Sequence, residues 1–150
     1  MSDDHDEAVR ELESEFSDLL AHFRRVVTET AQRVSPGLNP GAYKLLTFVE
    51  RHGPIRATEI VERVEIDKAH VSRMVRELDE LGLIARAPSP EDGRVQLLSA
   101  TDEARARLDA ARAGRAGHLR DTVDMWTSDE LRLLARLLHA LSNNEAPPRA

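Results

Sequence analysis

Residues 55–98 read IRATEIVERVEIDKAHVSRMVRELDELGLIARAPSPEDGRVQLL, and they contain most of the information about the architecture. The stretch begins with a short helical pattern and a turn, and continues as a second amphipathic helix that ends at Gly82. Two strand-like runs follow, on either side of a turn at residues 90–94. This order predicts a helix-turn-helix followed by a β-hairpin wing, a unit in which the second helix can enter a DNA major groove.

The second helix of this stretch has an apolar stripe. Asp67 is a candidate N-cap, because its carboxylate can accept a hydrogen bond from an unpaired amide of the first turn. Beyond Asp67, apolar residues recur at spacings of three and four, which is typical of one face of an α-helix, and we expect them to face the core. The residues of this stripe are Val71, Met74, Val75, Leu78 and Leu81.

The opposite face of the same helix has the composition of a DNA-reading surface. Small residues let the backbone approach a duplex, arginine can bind guanine O6 and N7, and serine can bond a base edge or a phosphate. The residues of this reading face and its N-terminal flank are Lys68, Ala69, His70, Ser72, Arg73 and Arg76. A solvated helix face with scattered charges is the alternative interpretation of the helix taken alone.

The wing is predicted from two short runs, residues 83–86 and 95–98, with proline and glycine between them to form the turn. Arg94 lies at or just after the tip, where its side chain could enter a narrow minor groove. Asp92 could hold the Arg94 guanidinium in position, and Arg86 adds a further candidate DNA contact. The alternative is a surface hairpin in which Asp92 and Arg94 merely pair in solvent, which would contribute little to stability.

Several short motifs inside and around this stretch occur together in one known family. They are Tyr43-Lys44-Leu45-Leu46, His52-Gly53, Ala57-Thr58-Glu59-Ile60-Val61, residues 71–78, Leu81-Gly82-Leu83-Ile84, Asp92-Gly93-Arg94 and residues 98–101. With these motifs the chain resembles the MarR (multiple antibiotic resistance regulator) family of winged-helix regulators. It departs from the family in the turn before the second helix, where Val64-Glu65-Ile66 stands in place of a frequent glycine, and at Ala100 and Ala104.

The resemblance implies a mainly α fold with a small β-hairpin wing, in one domain over residues 1–150. The winged helix-turn-helix would cover residues 41–98, flanked by N- and C-terminal dimerisation helices at residues 7–34 and 101–142. Residues 143–150, which contain Pro147-Pro148, would form a flexible tail.

The terminal segments have helical patterns of their own. Apolar residues recur near helical spacing from Glu7 to Val34, and a helix this long on a small domain needs a partner surface. Thr101 can cap a helix that runs to about Asp124, and Thr127 or Ser128 can cap a last, leucine-rich helix. These helices could pair with a second copy, and the alternative is that they complete the core of a monomer.

The resemblance also implies function. Members of the family regulate transcription, often as repressors that bind pseudo-palindromic double-stranded DNA as homodimers. Many respond to a small aromatic or anionic ligand in a cleft between the dimerisation helices and the winged unit. In this chain His22, Arg25 and Tyr43 are candidates for lining that cleft, and the alternative for each, which their residue types favour, is a packing or surface role.

Composition limits the other functions. The chain has no cysteine, so disulfides, thiolate metal sites and thiol-based sensing are excluded. Its six histidines show no metal-ligand spacing, and neither a phosphate-binding loop nor a nucleophile elbow occurs, so we expect a non-enzyme without metal or cofactor. No apolar run reaches the roughly 20 residues that cross a bilayer, and the acidic N-terminus is unlike a signal peptide. We therefore expect a cytoplasmic protein that does not enter membranes.

The net charge of -6 argues against nucleic-acid binding when taken alone. Residues 3–18 contain eight carboxylates against one base, Arg10, so much of the acidity lies outside the winged unit. Between Ile66 and Arg94, however, five Lys and Arg residues still face six acidic ones. DNA affinity would therefore have to come from the placement of the basic side chains, and a winged-helix module that binds protein instead of DNA remains the alternative function.

Overall fold

The computed structural model describes residues 3–113 and 122–146. Its elements, in chain order, are α1 (Asp3–Val34), α2 (Pro40–His52), β1 (Ile55–Arg56), α3 (Ala57–Val64), α4 (Lys68–Glu80), β2 (Ile84–Pro88), β3 (Gln96–Ala100), α5 (Asp102–Ala113) and α6 (Ser128–Ser142). The predicted fold class, mainly helical with a small β-hairpin wing, is confirmed. The chain separates into two compact units, Met1–Arg112 and Ala113–Ala150, which are described in turn.

The core of the first unit is built around α2. This helix contacts α1, α4 and β3, and Leu46 on its inner face is completely buried. Ile60 of α3, Leu78 of α4 and Leu108 of α5 are also completely buried and belong to the same cluster. The helix-turn-helix therefore rests on a continuous apolar core instead of standing apart from it.

The sheet has three antiparallel strands in the order β1-β3-β2. Sequence patterning predicted only the hairpin, because β1 comprises just Ile55 and Arg56 and is too short to show alternation. Ile55 pairs with Leu98 of β3. The hairpin strands also begin one residue later than predicted, at residues 84 and 96, and extend to residues 88 and 100.

Gly53, between α2 and β1, is required by a close approach of the backbone. A Cβ atom at this position would lie 2.6 Å from the Val49 carbonyl oxygen and 3.1 Å from that of Leu98. Both atoms belong to the main chain and cannot rotate away. The glycine therefore lets the end of α2 cross close to β3.

Helix α4 has the N-cap that the sequence predicted. The Asp67 carboxylate accepts a hydrogen bond from the His70 amide at 2.9 Å. The helix ends in a Schellman motif, in which Leu83 N–H donates to the Leu78 carbonyl and Gly82 N–H to that of Asp79. Gly82 adopts the left-handed φ of 68° that this motif needs and that glycine tolerates.

The apolar stripe of α4 is confirmed for four of its five residues. Val71, Met74, Val75 and Leu78 are buried, whereas Leu81 is 38% exposed and was wrongly assigned to the core. Leu81 is the C-cap, and the left-handed residue after it redirects the chain. The completely buried Leu83 takes the inward position instead.

Helix α1 begins at Asp3, four residues before the predicted start, and ends at Val34 as expected. Asp3, Asp4 and Asp6 in its first turn interact favourably with the helix dipole, which extends the helix towards the N-terminus. Its buried residues, Thr30, Ala31 and Val34, are confined to the last turns. The large apolar residues that it leaves exposed are Val9, Leu12, Leu19, Leu20 and Phe23.

Helix α5 completes the first unit. The Thr101 hydroxyl accepts a hydrogen bond from Ala104 N–H at 3.1 Å, as predicted for a cap, and also donates to the Gly82 carbonyl at 2.9 Å. This second bond ties the start of α5 to the end of α4. The predicted continuation to Asp124 passes through residues 114–121, which lie outside the described residues.

Helix α6 in the second unit is capped by Thr127, the first of the two predicted candidates. Thr127 and Glu130 form a capping box, in which each side chain accepts a hydrogen bond from the backbone N–H of the other residue. The hydrogen bonds that the Thr127 backbone N–H and hydroxyl donate to Glu130 lower the pKa of that carboxyl. The large apolar residues that α6 leaves exposed are Leu133, Leu134, Leu137, Leu138 and Leu141. The predicted tail begins with a hydrogen-bonded turn, since Glu145 N–H donates to the Ala140 carbonyl, and residues 147–150 lie outside the described residues.

Candidate nucleic-acid interface

The turn between α3 and α4 sets the angle of the helix-turn-helix. Glu65, at the C-cap of α3, adopts the left-handed conformation with φ 51° and ψ 35°. In this turn the MarR resemblance suggested a glycine. Glu65 therefore places a side chain at a backbone position that favours glycine. Buried Ile60 and Val71 then hold the two helices on the core.

The reading face of α4 is exposed along its whole length. All six of its predicted side chains are exposed, on the side of the helix opposite the buried stripe. Arg73 Nη2 lies 3.2 Å from His70 Nδ1. Because a guanidinium can only donate, Nδ1 is the acceptor and the imidazole proton is on Nε2. The Nε2–H of His70 is therefore the donor that remains for a ligand.

A groove between α3 and α4 borders the reading face. Its volume is about 210 Å³. The residues that line it are Ala57, Thr58, Val61, Glu62, Lys68, Val71 and Ser72. Two predicted DNA contacts, Lys68 and Ser72, thus share a concave surface with the first turn of α3, where a sugar-phosphate backbone could lie.

The wing turn is closed by its own hydrogen bonds, and one prediction about it was wrong. Asp92 Oδ1 accepts from the backbone N–H of Arg94 at 3.0 Å, so it braces the main chain of the turn and not the guanidinium. A short carboxylate reaches the amide two residues ahead more easily than the end of a long side chain. The Arg94 side chain is exposed and makes no ion pair or hydrogen bond within residues 3–113 and 122–146.

Arg86 is placed differently from the other predicted contacts. It lies in β2, and its Nε donates to Asp79 Oδ2 of α4 at 3.1 Å. Both side chains are 44% exposed. The guanidinium is therefore already paired within the winged unit.

The acidic residues of the winged unit are mostly engaged locally, which the charge count could not reveal. Asp67 caps α4, Asp79 pairs with Arg86, and Asp92 braces the wing turn. Glu77 Oε1 accepts from the backbone N–H of Asn39 at 3.0 Å, and Glu91 lies 3.9 Å from Arg56.

The basic side chains of the same unit are mostly unpaired. Lys68, Arg76 and Arg94 have no such partner in the described part of the chain. Between Ile66 and Arg94, five of the six carboxylates thus serve the fold, Glu80 being the exception, and three cations have no such partner in the described part of the chain.

The three candidate cleft residues differ in their exposure. Tyr43 is 5% exposed and belongs to the core cluster of the first unit. Its position on the inner face of α2 explains the burial. His22 and Arg25 are exposed on α1, and the His22 ring packs edge-on against Phe23 at 6.3 Å between centroids.

An ion pair between α2 and α5 was not foreseen. Arg112 donates to both carboxylate oxygens of Glu50, at 3.0 and 2.6 Å, and this hydrogen bonding raises the pKa of Arg112. Glu50 and Arg112 are far apart in sequence and neither lies in a motif, so no local pattern could identify them. The ion pair fixes the end of α5 against α2, the helix that contacts α4.

The described residues offer no cluster of three His, Asp or Glu side chains that could hold a metal ion. In the same ranges, 3–113 and 122–146, no helix is both long and apolar enough to cross a membrane.

The fold and the exposed face of α4 define a winged helix-turn-helix protein. Comparison with known proteins agrees, since residues 38–95 match the model of the MarR family. The chain is 29% identical to the HTH-type transcriptional repressor MdtR of Bacillus subtilis, over 85% of each chain. Residues 38–95 are therefore a MarR-family domain, and this family and MdtR are transcriptional regulators and not enzymes.

Solved structures have the same architecture. The YusO protein of Bacillus subtilis is 27% identical with a TM-score of 0.65, over 95% of this chain and 99% of that one. A MarR-family protein of Listeria monocytogenes, solved in complex with 26mer DNA, has a TM-score of 0.66 at 18% identity, over 86% and 87% of the two chains. The second likeness concerns the fold alone.

Proposed function

We propose that this regulator binds double-stranded DNA as a homodimer and represses transcription from a pseudo-palindromic operator. The observation that carries the proposal is the separation of charge in the winged unit. Lys68, Arg76 and Arg94 are exposed and unpaired among the described residues, whereas five of the six acids between Ile66 and Arg94 are engaged in backbone hydrogen bonds or ion pairs. Such placed cations can replace the counterions of a duplex even when the net charge is negative.

The N-terminal half of α4 would enter the major groove. Ala69 and Ser72 are small enough to let the backbone approach, and Arg73 and Arg76 would reach base edges, where a bidentate contact with guanine is the commonest specific one. Lys68 and the Nε2–H of His70 would bind phosphate oxygens. Arg94, at the wing tip, would enter the adjacent minor groove.

Two-fold symmetry would come from the exposed apolar residues of α1 and α6. Both helices leave five large apolar side chains exposed, and a second copy could cover them. A helix-turn-helix dimer reads two half-sites about 34–36 Å apart. The name of MdtR identifies that relative as a repressor, and the Listeria relative was solved with DNA, which supports the proposal.

A small aromatic or anionic effector would act on the spacing of the two α4 helices. It could change DNA affinity only as far as it binds one spacing more tightly than the other. His22 and Arg25, both exposed on α1, are side chains that an anion could reach. A regulator of this kind acts where the chromosome is, so we assign it to the cytoplasm.

The test is selection of binding sites from random duplex DNA with the purified protein at near-physiological salt. We expect an inverted repeat with half-sites about 10 base pairs apart. On this site Arg76→Ala should cost about 1–3 kcal/mol of binding free energy and relax the preference at one base pair. The matched control is Arg10→Ala, which removes an exposed arginine from the N-terminal half of α1 and should leave affinity unchanged.

Two results would contradict the proposal. No enriched sequence at near-physiological or lower salt would favour the winged-helix module that binds protein. Equal losses for Arg76→Ala and Arg10→Ala would mean that the reading face has been assigned wrongly.

A further inference from the structure

Strand β2 is held on α4 by few side chains. It is an edge strand, hydrogen-bonded to β3 alone. Ile84 at its start is buried, whereas residues 85–88 are all exposed. Apolar packing therefore fixes the base of the wing but not the part that projects beyond it.

The ion pair between Arg86 and Asp79 ties this exposed part of β2 to α4. In the described part of the chain it is the one side-chain hydrogen bond between β2 and α4. The next ion pair that involves the hairpin, Arg56 with Glu91, is looser, at 3.9 Å with Glu91 87% exposed.

We propose that Asp79 and Arg86 are positioning residues, whose ion pair sets the angle of the wing on α4 so that Arg94 and α4 engage the same DNA. The inference rests on the proposed DNA binding and deepens it. It gives Arg86 a role different from the direct DNA contact that its sequence position suggested. Arg86 acts through the backbone of β2, and the contact at the wing tip belongs to Arg94.

Electrostatics separate this role from a phosphate contact. A phosphate that approached Arg86 would also meet the Asp79 carboxylate, which lies 3.1 Å from Arg86 Nε. Because the pair is neutral as a whole, it displaces no counterion from DNA, whereas an unpaired cation that binds a phosphate does. Removal of the Asp79 charge therefore has opposite consequences in the two cases. It weakens binding if the pair positions the wing, and it strengthens binding if Arg86 contacts phosphate.

The test uses the full-length protein, the selected DNA site, and the variants Asp79→Asn, Arg86→Gln and the double variant. We expect each single variant to weaken binding by about three- to fivefold, the upper range for an exposed ion pair. The double variant should be no weaker than either single one. The slope of log affinity against log salt should change alike in Asp79→Asn and Arg86→Gln, because both variants disturb the same wing.

Glu80→Gln is the matched control. Glu80 is the neighbouring exposed acid on α4, and it has no partner in the described part of the chain. Its removal deletes the same charge without breaking a pair, so binding should be unchanged or slightly tighter. Equal melting temperatures of the four variants and the wild type would show that the fold is intact.

A second measurement needs no DNA. Hydrogen exchange of residues 84–100 should accelerate in Asp79→Asn and Arg86→Gln but not in Glu80→Gln, because the wing loses its tie to α4. Unchanged exchange in Asp79→Asn would overturn the proposal even if the protein bound no DNA. Tighter binding by Asp79→Asn, or a salt slope reduced by about 0.9 in Arg86→Gln but not in Asp79→Asn, would overturn it while leaving DNA binding established.

Discussion

Glu65 adopts a backbone conformation that is unfavourable for a residue with a side chain. Its φ of 51° places an L-residue in the left-handed region, at a cost of roughly 1–2 kcal/mol. Glycine would remove this strain but lose more conformational entropy on folding, by roughly 0.5–1 kcal/mol. The helix-turn-helix is thus held at its angle by the surrounding core and not by the preference of the turn.

Glu65→Gly should therefore stabilise the protein by about 0.5–1 kcal/mol, the difference between these two effects. Urea unfolding followed by circular dichroism measures the change. The same substitution at Glu62, an exposed position inside α3, is the control and should destabilise by about 1 kcal/mol. If both variants lose stability alike, the turn does not need a left-handed residue.

At the level of elements, α4 shows where a helical stripe ends. Leu78 and Leu81 are three residues apart and look equivalent in sequence, yet Leu78 is completely buried and Leu81 is 38% exposed. Leu78→Ala should cost about 2–5 kcal/mol of unfolding free energy, through lost burial and the cavity left behind. Leu81→Ala should cost less than about 1 kcal/mol. Chemical denaturation of the pair checks this, and similar losses would place Leu81 back in the core.

Sequence reasoning succeeded where the determinants were local. The cap at Asp67, the buried stripe of α4 and the cap at Thr127 each depend on residues within one or two helical turns. It failed where distant segments meet. Strand β1 exists because Ile55 pairs with Leu98, and Arg112 is fixed by Glu50 on another helix.

The candidate site shows the same division. The periodicity of α4 predicted which side chains are exposed, but it could not show which of them are free. Arg86 and Arg94 look alike as basic residues of the wing, and only the fold places Asp79 beside the first and leaves the second unpaired in the described part of the chain.

For the whole molecule, the exposed apolar residues of α1 and α6 predict association of two copies. Leu12 is 51% exposed on α1 and is one of five such residues on that helix. Leu12→Asp should shift the protein from dimer towards monomer, because a carboxylate is costly to bury in an apolar interface. Sedimentation equilibrium over a range of concentrations measures the shift.

Ser14→Asp is the control for this prediction. Ser14 is exposed on α1, and at ~100° per residue it lies on the side of the helix opposite the apolar residues. It should leave the mass of the assembly unchanged. A wild-type protein that sediments as a monomer at all concentrations would contradict the proposed dimer.

The acidic N-terminal half of α1 makes the charge distribution of the first unit strongly asymmetric. The helix is about 48 Å long at 1.5 Å per residue, its eight carboxylates at residues 3–18 occupy the half away from the buried end, and the unpaired cations lie on α4 and the wing. Near a polyanion, such a molecule experiences a torque that turns its cationic side towards the duplex before contact. The acidic half of α1 thereby disfavours encounters in which it faces the duplex. Added salt weakens this steering, because the screening length falls.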